Sequence, residues 1–347
     1  MANSVMKPAA PNLPRLNNIV VLRSFAIIAV VLYHCYCPWM SEWNWFECKC
    51  RPIYSFILEV MFVGRMPLFV FVSGYLFSHL VIDRGKYTSF LGFVNNKFQR
   101  LLIPCLVFTG LMCLCLQENY FEAVVGYGYH LWFLKMLFWC FMTAWLLNRF
   151  VKSKLGRIAA FVLSLGLMGF HGITILGLGQ YYKYFSFFYG GYLFYAYRES
   201  LSFIFKRWFI YFISLTYAGL LLVVLARYIC AEETDGMIHG DRIVAFARYL
   251  LRPVTIILAL ILVDLYLKTK DEISIIFTKL NSISYGIYLF HMLILQSLHK
   301  YCFSEVAEFA NSHYIFTPPM LFILVTGLSV AICTVLKRYS WSKWLIG

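Results

Sequence analysis

Long apolar runs alternate with short polar connections along almost the whole chain. A membrane-spanning helix needs about 20 mostly apolar residues, so this pattern predicts about ten such helices. The second run contains Gly64, Pro67 and Gly74, which predicts a kink or a break there. The short sixth run contains Gly190 and Gly191, which favour a close approach between helices. The predicted spans are roughly 19–38, 55–81, 101–117, 131–148, 157–176, 184–197, 208–227, 247–267, 281–298 and 315–336.

Lysine and arginine concentrate in every second connection between the apolar runs, while most acidic residues lie in the others. This asymmetry is typical of membrane proteins, whose cytoplasmic loops are rich in basic residues. It predicts an even number of spans with both termini in the cytoplasm. The predicted organisation is a cytoplasmic tail at 1–18, a membrane domain at 19–336 and a second cytoplasmic tail at 337–347. The predicted fold class is therefore all-α, a polytopic helical bundle embedded in a membrane.

The composition supports the same class. Hydrophobic residues make up 61% of the chain and charged residues only 13%, with a mean hydropathy of +0.72. Soluble domains carry roughly 25% charged residues, so an ordinary soluble enzyme is excluded. The net charge of +14 comes from basic residues that cluster in the loops, which is the pattern of topology signals. No nucleic-acid partner is therefore predicted. The polar start shows no signal-peptide cleavage pattern, so the first helix is expected to stay as an anchor.

Four of the eleven cysteines flank one predicted external loop, as the close pairs Cys35 with Cys37 and Cys48 with Cys50. A disulfide between the two pairs would form if that side of the membrane is oxidising, and the sequence leaves this open. The one-residue spacing without a neighbouring histidine pair matches no common zinc pattern, so no metal site is predicted.

Arg23 and His34 are the most informative polar residues, because only apolar or small residues lie between them. Eleven residues is close to three helical turns, so both side chains share one face, roughly 16 Å apart. A cation and an imidazole within a membrane helix are costly and usually mark a pathway or a reaction site. A neutral imidazole is also a suitable general base. The alternative is an arginine that reaches the membrane surface and a histidine that bonds to a neighbouring helix.

The second apolar run adds Arg65 and Ser73 as candidates. Arg65 is a candidate ligand for an anion or a carbonyl group, although an ion pair with an acid such as Glu59 explains it equally well. Ser73 and Gly74 form a small polar patch that permits close packing. The same run contains Pro67, whose ring is expected to bend the helix.

Three cations near predicted helix ends complete the basic candidates. Lys97 and Arg100 precede Pro104, which lies at a favourable helix start. They either bind phosphate at a cytoplasmic mouth or only set the topology. Lys135 lies one turn inside the outer interface, beyond His130, which has the pattern of an ordinary interface residue.

Ser284, Tyr288 and His291 share one face of the ninth predicted span, because they are spaced by four and three residues. They are candidates to line a reaction path. Alternatively, His291 is a structural histidine held by hydrogen bonds.

In chain order these segments resemble the membrane-bound acyltransferase type 3 family. The spacing of Arg23 and His34 equals the family's motif of arginine, ten residues and histidine. The other segments look like its helix signatures in the same order. They are residues 67–75, 100–104, 130–134, 189–192 and 284–291. One departure is that many members carry a denser arginine cluster before the position of Leu101.

The resemblance implies ten helices and an O-acyltransferase of the bacterial inner membrane. It implies transfer of an acyl group, usually acetyl from acetyl-CoA, to a hydroxyl of a surface polysaccharide, lipopolysaccharide or lipid-linked sugar. His34 is then expected to deprotonate the acceptor or to carry the acyl group, with Arg23 as the second catalytic residue. Arg100 and Lys97 are expected to bind the coenzyme, and no metal is expected.

The remaining candidates are expected to serve the reaction or the acceptor. Arg65 and Lys135 would stabilise an oxyanion or hold acidic sugar groups. Four polar residues would orient the catalytic imidazole or line the substrate path: Ser73, Ser284, Tyr288 and His291.

Two alternatives stay open. A transporter or flippase would use intramembrane charges to move a substrate without chemistry, but the chain shows no internal repeat. An acyltransferase could also act on a small molecule that is not a glycan. The expected partners are acetyl-CoA, a glycan or lipid-linked saccharide and membrane lipids, and the oligomeric state is open.

Overall fold

The structure is a computed structural model, and within its described residues every regular element is a helix. No strand occurs in these ranges, so the predicted all-α membrane bundle is confirmed. The described residues are 16–39, 48, 51–58, 63–126, 128–170, 172–173, 175–232, 242–270, 273–302 and 307–346.

Helices of very different length follow one another along the described chain. In order they are α1 (Asn17–Tyr36), α2 (Pro52–Phe56), α3 (Arg65–Ile82), α4 (Phe90–Lys97), α5 (Ile103–Leu116), α6 (Tyr120–Val125), α7 (Trp132–Phe150), α8 (Lys154–Leu167), α9 (Leu178–Ala196), α10 (Arg207–Glu232), α11 (Arg242–Lys268), α12 (Ile275–Cys302), α13 (Ala307–Ser312), α14 (Thr317–Leu336) and α15 (Lys343–Ile346). Short 3₁₀ turns include Tyr129–Leu131 before α7 and Ile175–Gly177 before α9.

Seven helical stretches in the described part of the chain are long and apolar enough to cross a membrane. They are Asn17–Trp39, Arg65–Ile82, Phe90–Leu116, Tyr120–Phe150, Arg207–Arg227, Arg242–Lys268 and Thr317–Leu336. The three other predicted spans coincide with α8, α9 and α12, which are shorter or more polar. The number ten and the cytoplasmic position of both termini stay predictions.

α3 begins at Arg65 rather than near residue 55, so the predicted second span is broken, as its glycines and proline suggested. Val63 and Gly64 form a turn before it, and Pro67 falls within its first turn. The first N–H groups of a helix have no intrahelical acceptor, so a proline there loses nothing. The prediction that Pro67 bends the helix is therefore wrong.

α4 continues into α5 through a π-helical turn, which makes Phe90–Leu116 one helical stretch. The predicted cytoplasmic loop is thus helical, and Lys97 and Arg100 lie within the helix. The turn has a local cause, because Pro104 has no N–H to donate to the Arg100 carbonyl four residues earlier. The Tyr285 hydroxyl of α12 donates to that carbonyl instead, at 2.8 Å.

α3 and α9 approach each other backbone to backbone. A Cβ atom on Gly191 would lie 2.0 Å from the Phe71 carbonyl oxygen. A Cβ atom on Gly74 would lie 1.9 Å from the Phe188 carbonyl oxygen. Only glycine permits these distances, which confirms the close approach predicted for the sixth span.

α1 lies in the core, where it packs against α3, α11, α12 and α14. Eleven of its twenty residues are buried, so its polar side chains meet other helices rather than lipid. α10 is the opposite case, because most of its apolar side chains are exposed, as expected of a helix that faces lipid.

Candidate active site

His34 on α1 and His291 on α12 lie in contact although 257 positions separate them in the chain. Nδ1 of His34 is 3.2 Å from Nε2 of His291. Both side chains are buried, and His291 is fully enclosed. The structure therefore joins two of the predicted candidates into one imidazole pair between two core helices.

A backbone hydrogen bond sets the tautomers of this pair when both rings are neutral. Nδ1 of His291 lies 3.0 Å from the Ile287 carbonyl oxygen, which only accepts, so Nδ1 carries the hydrogen. Nε2 of His291 then accepts from the Nδ1–H of His34. This places the lone pair of His34 on Nε2, the nitrogen that is suited to take a proton.

Arg23 and Ser284 form a second polar contact between the same two helices. Nη2 of Arg23 donates to Oγ of Ser284 at 3.2 Å, and the Ser284 hydroxyl donates to the Asn281 carbonyl at 2.9 Å. From the contact of Arg23 with Ser284 to that of His34 with His291, the residue numbers rise along both helices. α1 and α12 therefore run parallel. The predicted shared face of Arg23 and His34 is the face that packs against α12.

Arg65 lies at the start of α3, beside the histidine pair. Its guanidinium carbon is 3.2 Å from the ring centroid of Tyr33, the residue before His34. The guanidinium also interacts electrostatically with His34. Glu59, the predicted alternative partner, lies outside the described residues. A fixed positive charge therefore borders the imidazole pair.

His130 brings a third imidazole to the pair, and the sequence pattern presented it as an ordinary interface residue. Its ring centroid is 5.1 Å from that of His291 and 5.1 Å from that of Tyr288. The Tyr288 hydroxyl donates to the His130 carbonyl at 2.5 Å. Tyr288 and His291, predicted to share a face, thus both meet the segment before α7. Gly126 and Gly128 just upstream were the available signal, since glycines disfavour a plain helix start.

Lys135 on α7 is buried and turned toward the backbone of the loop that precedes His130. Its Nζ donates to the carbonyls of Val124 at 2.9 Å and Gly126 at 2.7 Å, with Ala123 at 3.5 Å. An ammonium group has three donors, and these carbonyls at the end of α6 accept them. The contacts of Lys135 therefore hold the loop, and its oxyanion role stays a prediction.

Lys97 is enclosed by aromatic rings. Its Nζ lies 3.6 Å from the ring centroid of Phe141 and 5.1 Å from that of Tyr87, and only 8% of the residue is exposed. These are cation–π distances. The side chain of Arg100, one turn later, is exposed. Of the two predicted coenzyme ligands, the structure presents Arg100 at the surface and encloses Lys97.

Ser73 uses its hydroxyl within α3. Its Oγ donates to the Phe69 carbonyl at 2.9 Å, the usual bond of a helical serine to the preceding turn. Its neighbour Gly74 packs against α9. The observed contacts of this patch thus belong to the α3–α9 interface, and its part in the substrate path stays a prediction.

No group of three or more His, Cys, Asp and Glu side chains that could hold a metal occurs among the described residues. Cys35, Cys37 and Cys48 are buried free thiols. Cys50 lies outside the described residues. The structure therefore shows no disulfide among these three cysteines.

A second polar cluster, which the sequence did not indicate, lies where α3 ends against α9. Asp83 accepts hydrogen bonds from the Tyr195 hydroxyl and from Nδ1 of His79, the latter at 3.2 Å. The bond from Tyr195, joined by that from His79, holds the pKa of the Asp83 carboxyl below its usual range. Arg198 lies over the Tyr195 ring at 4.5 Å.

A cavity of about 160 Å³ lies beside α5 and α7. Its walls are apolar apart from Lys135, whose ammonium is already bonded. Cys105 in the wall contacts the Leu131 carbonyl at 3.7 Å, next to His130. Such walls suit hydrocarbon rather than phosphate or sugar. The lining residues are Phe98, Leu102, Cys105, Leu106, Val124, Lys135, Phe138, Trp139 and Leu176.

The model of the type 3 acyltransferase family, described as an acyltransferase domain, matches residues 16–338. The matched region contains all three imidazoles and the contact between Arg23 and Ser284. No curated protein and no solved structure matches the chain.

Proposed function

The chain belongs to the acyltransferase type 3 family, and from this premise we propose that it is a membrane O-acetyltransferase. It moves an acetyl group from acetyl-CoA to a hydroxyl of a surface glycan or lipid-linked sugar at a bacterial cytoplasmic membrane. The observation that carries the proposal is the buried pair of His34 and His291, 3.2 Å apart. An enclosed imidazole whose tautomer is set by its neighbour is suited to activate a hydroxyl group.

In this proposal the coenzyme phosphates bind near Arg23 and Arg100. Arg23 bonds to Ser284, and the Arg100 carbonyl accepts from Tyr285, the next residue of α12. Both arginines therefore lie at the same level of α12, about two turns before His291. An exposed Arg100 and a half-buried Arg23 can bind phosphate oxygens in pairs. Lys97 supports this site by holding its helix against the aromatic rings.

The reaction follows from the tautomer of His34. Its Nε2 takes the proton from the acceptor hydroxyl while the oxygen attacks the thioester carbonyl carbon. A C–O bond forms, the C–S bond breaks, and the coenzyme leaves as a thiolate that accepts the proton. In the alternative order His34 first takes the acetyl group and then passes it to the acceptor. His291 accepts from Nδ1–H of His34 throughout and keeps its ring oriented.

Arg65 supports the same chemistry through charge. Its guanidinium stacks on Tyr33 and interacts electrostatically with His34. Negative charge develops on the carbonyl oxygen as the hydroxyl attacks, and a nearby fixed cation stabilises it. Arg65 therefore takes the oxyanion role, or binds an acidic group of the sugar.

The test is the acetyl content of surface glycans in cells that lack this protein, measured by proton NMR. The cells are complemented with wild type, His34→Gln or Arg23→Ala, with membrane levels checked by blot. We expect wild type to restore acetylation and both variants to fail at normal protein levels.

The same membranes, given acetyl-CoA, test the class of protein. Release of coenzyme A that rises when the acceptor is added supports an acyltransferase. Full acetylation by His34→Gln would contradict the proposed chemistry. A glycan that does not change with wild type, together with no coenzyme A release, would favour a transporter.

A further inference from the structure

His130 differs from the other two imidazoles of the site because neither ring nitrogen has a hydrogen-bond partner among the described residues. The residue is only 6% exposed. The backbones of Tyr288 and Leu289 interact with the ring, but among the described residues no partner meets both the distance and the angle of a hydrogen bond at either nitrogen. Buried polar groups are almost always paired, and an unpaired one calls for a functional explanation.

The backbone that carries this ring is strained. Gly128 and Tyr129 both have positive φ, +64° and +52°, and this conformation is unfavourable for tyrosine. Gly128 cannot be replaced without strain, since a Cβ atom would lie 2.6 Å from the Ala123 carbonyl oxygen and 3.0 Å from Nζ of Lys135. Strain of this kind persists only where surrounding contacts enforce it.

Two side chains enforce the conformation. Lys135 holds the carbonyls of Val124 and Gly126, just before the strained turn. Tyr288 donates to the His130 carbonyl itself. The imidazole is thus held at a fixed place while no described residue makes a well-formed hydrogen bond to its nitrogens, which is the arrangement of a group that awaits a ligand.

The position of the ring indicates what that ligand is. His130 lies 5.1 Å from His291 between ring centroids and interacts electrostatically with His34. It therefore borders the place where His34 must meet the reacting groups. A neutral imidazole has one donor and one acceptor nitrogen. The two reactants match it, because a thioester carbonyl accepts a hydrogen bond and a sugar hydroxyl donates one.

We propose that His130 contacts the substrates directly, with its N–H donating to the thioester carbonyl oxygen as negative charge develops there and its other nitrogen accepting from a hydroxyl of the acceptor. Lys135 and Tyr288 are positioning residues for this ring. The inference rests on the proposed acyl transfer. It adds a second, neutral donor to the charge of Arg65 at the oxyanion.

The experiment uses the purified full chain in lipid nanodiscs with His130→Phe and His130→Gln. Acceptor-dependent coenzyme A release and the thermal midpoint are measured for each. We expect His130→Phe to lower kcat by about 100-fold, the usual effect of losing an oxyanion donor. Its midpoint should stay the same or rise, because an apolar ring replaces nitrogens to which no described residue makes a well-formed hydrogen bond. His130→Gln keeps a donor and an acceptor and should recover part of kcat.

Two variants complete the design. His313→Phe, in an exposed turn before α14, is the matched control and should behave like wild type. His34→Gln in the same assay separates the two claims. If His34→Gln is inactive while His130→Phe keeps wild-type kcat, the inference falls and the proposed function stands. If His34→Gln is fully active, the proposed chemistry itself falls. A marked drop of the midpoint in His130→Phe would show that the ring nitrogens have structural partners and would also overturn the inference.

Discussion

Two helix pairs in this protein are joined in opposite ways. α3 and α9 touch through their backbones at Gly74 and Gly191. α1 and α12 meet instead through polar side chains, among them the pair of His34 and His291. Small residues suffice to pack two helices within a membrane, so the polar contacts of α1 and α12 are not required for association. We infer that the α3–α9 contact is structural and that the α1–α12 contact serves the proposed reaction.

The cost of the two arrangements differs as well. A backbone contact between glycines buries no titratable group, whereas imidazoles inside a bundle are expensive to bury. Arg23 adds a cation to the same α1–α12 contact. A protein retains such a contact where chemistry depends on it. We therefore expect changes in the α3–α9 contact to act on stability and changes in the α1–α12 contact to act on the reaction.

The largest expected effect on stability comes from Gly191→Val. The new Cβ would lie 2.0 Å from the Phe71 carbonyl oxygen, so the backbones must separate. Overpacking of this kind costs about 1–3 kcal/mol or more. The variant should show a lower thermal midpoint in detergent and a lower membrane level. Gly219→Val on α10 is the control, because nothing lies within 4 Å of its added Cβ. Equal midpoints for both variants would contradict the comparison.

A smaller effect, on binding, is expected at the proposed coenzyme site. Arg100→Ala should raise the KM for acetyl-CoA by about 10-fold, as loss of one charged phosphate contact does. Lys97→Met should leave that KM unchanged, because Lys97 faces the rings of Phe141 and Tyr87. The measurement is initial-rate kinetics on purified protein. A KM for acetyl-CoA that rises in Lys97→Met and stays unchanged in Arg100→Ala would contradict the proposed role of Arg100 as the coenzyme ligand.

The smallest effect concerns the end of the α3–α9 contact, where Tyr195 and His79 hold the pKa of Asp83 below its usual value of 3.8. A carboxyl whose pKa is lower in the folded state stabilises that state above the unfolded pKa, and this contribution is lost as the pH falls through the folded pKa. The thermal midpoint of wild type should therefore decrease as the pH is lowered below about 4. Asp83→Asn should show a shallower fall between pH 5 and pH 3. Parallel curves for the two proteins would refute this.

Periodicity predicted the parts of the site that lie on one helix. The eleven-residue spacing of Arg23 and His34 and the spacing of Ser284 and His291 both predicted shared faces, and these faces meet in the structure. The pairing of α1 with α12 was not predictable, because no local pattern records which of several similar apolar helices become neighbours. Tertiary packing decides that step.

Other features that the sequence did not reveal have local physical causes. Lys97 and Arg100 were placed in a loop because basic residues usually mark loop ends, yet the helix continues since Tyr285 bonds the carbonyl that Pro104 leaves unpaired. The hydropathy pattern predicts an interface residue at His130, because it does not reveal the turn with positive φ at Gly128 and Tyr129 that precedes the contact of this ring with His291. For Lys135 the sequence predicts a role toward the substrate, which stays a prediction, and the structure adds that its ammonium bonds to carbonyls of the loop before His130.

The most direct test of the central claim compares His34→Gln and His291→Gln in nanodiscs by acceptor-dependent coenzyme A release. The account predicts that His34→Gln lowers kcat by about 10²–10⁴-fold, the range of general acid–base catalysis. His291→Gln should lower it less, because the ring of His34 remains but loses its fixed tautomer. Both proteins should keep thermal midpoints close to wild type, unlike Gly191→Val. A His34→Gln protein with wild-type kcat would contradict the account, as would loss of activity that only accompanies unfolding.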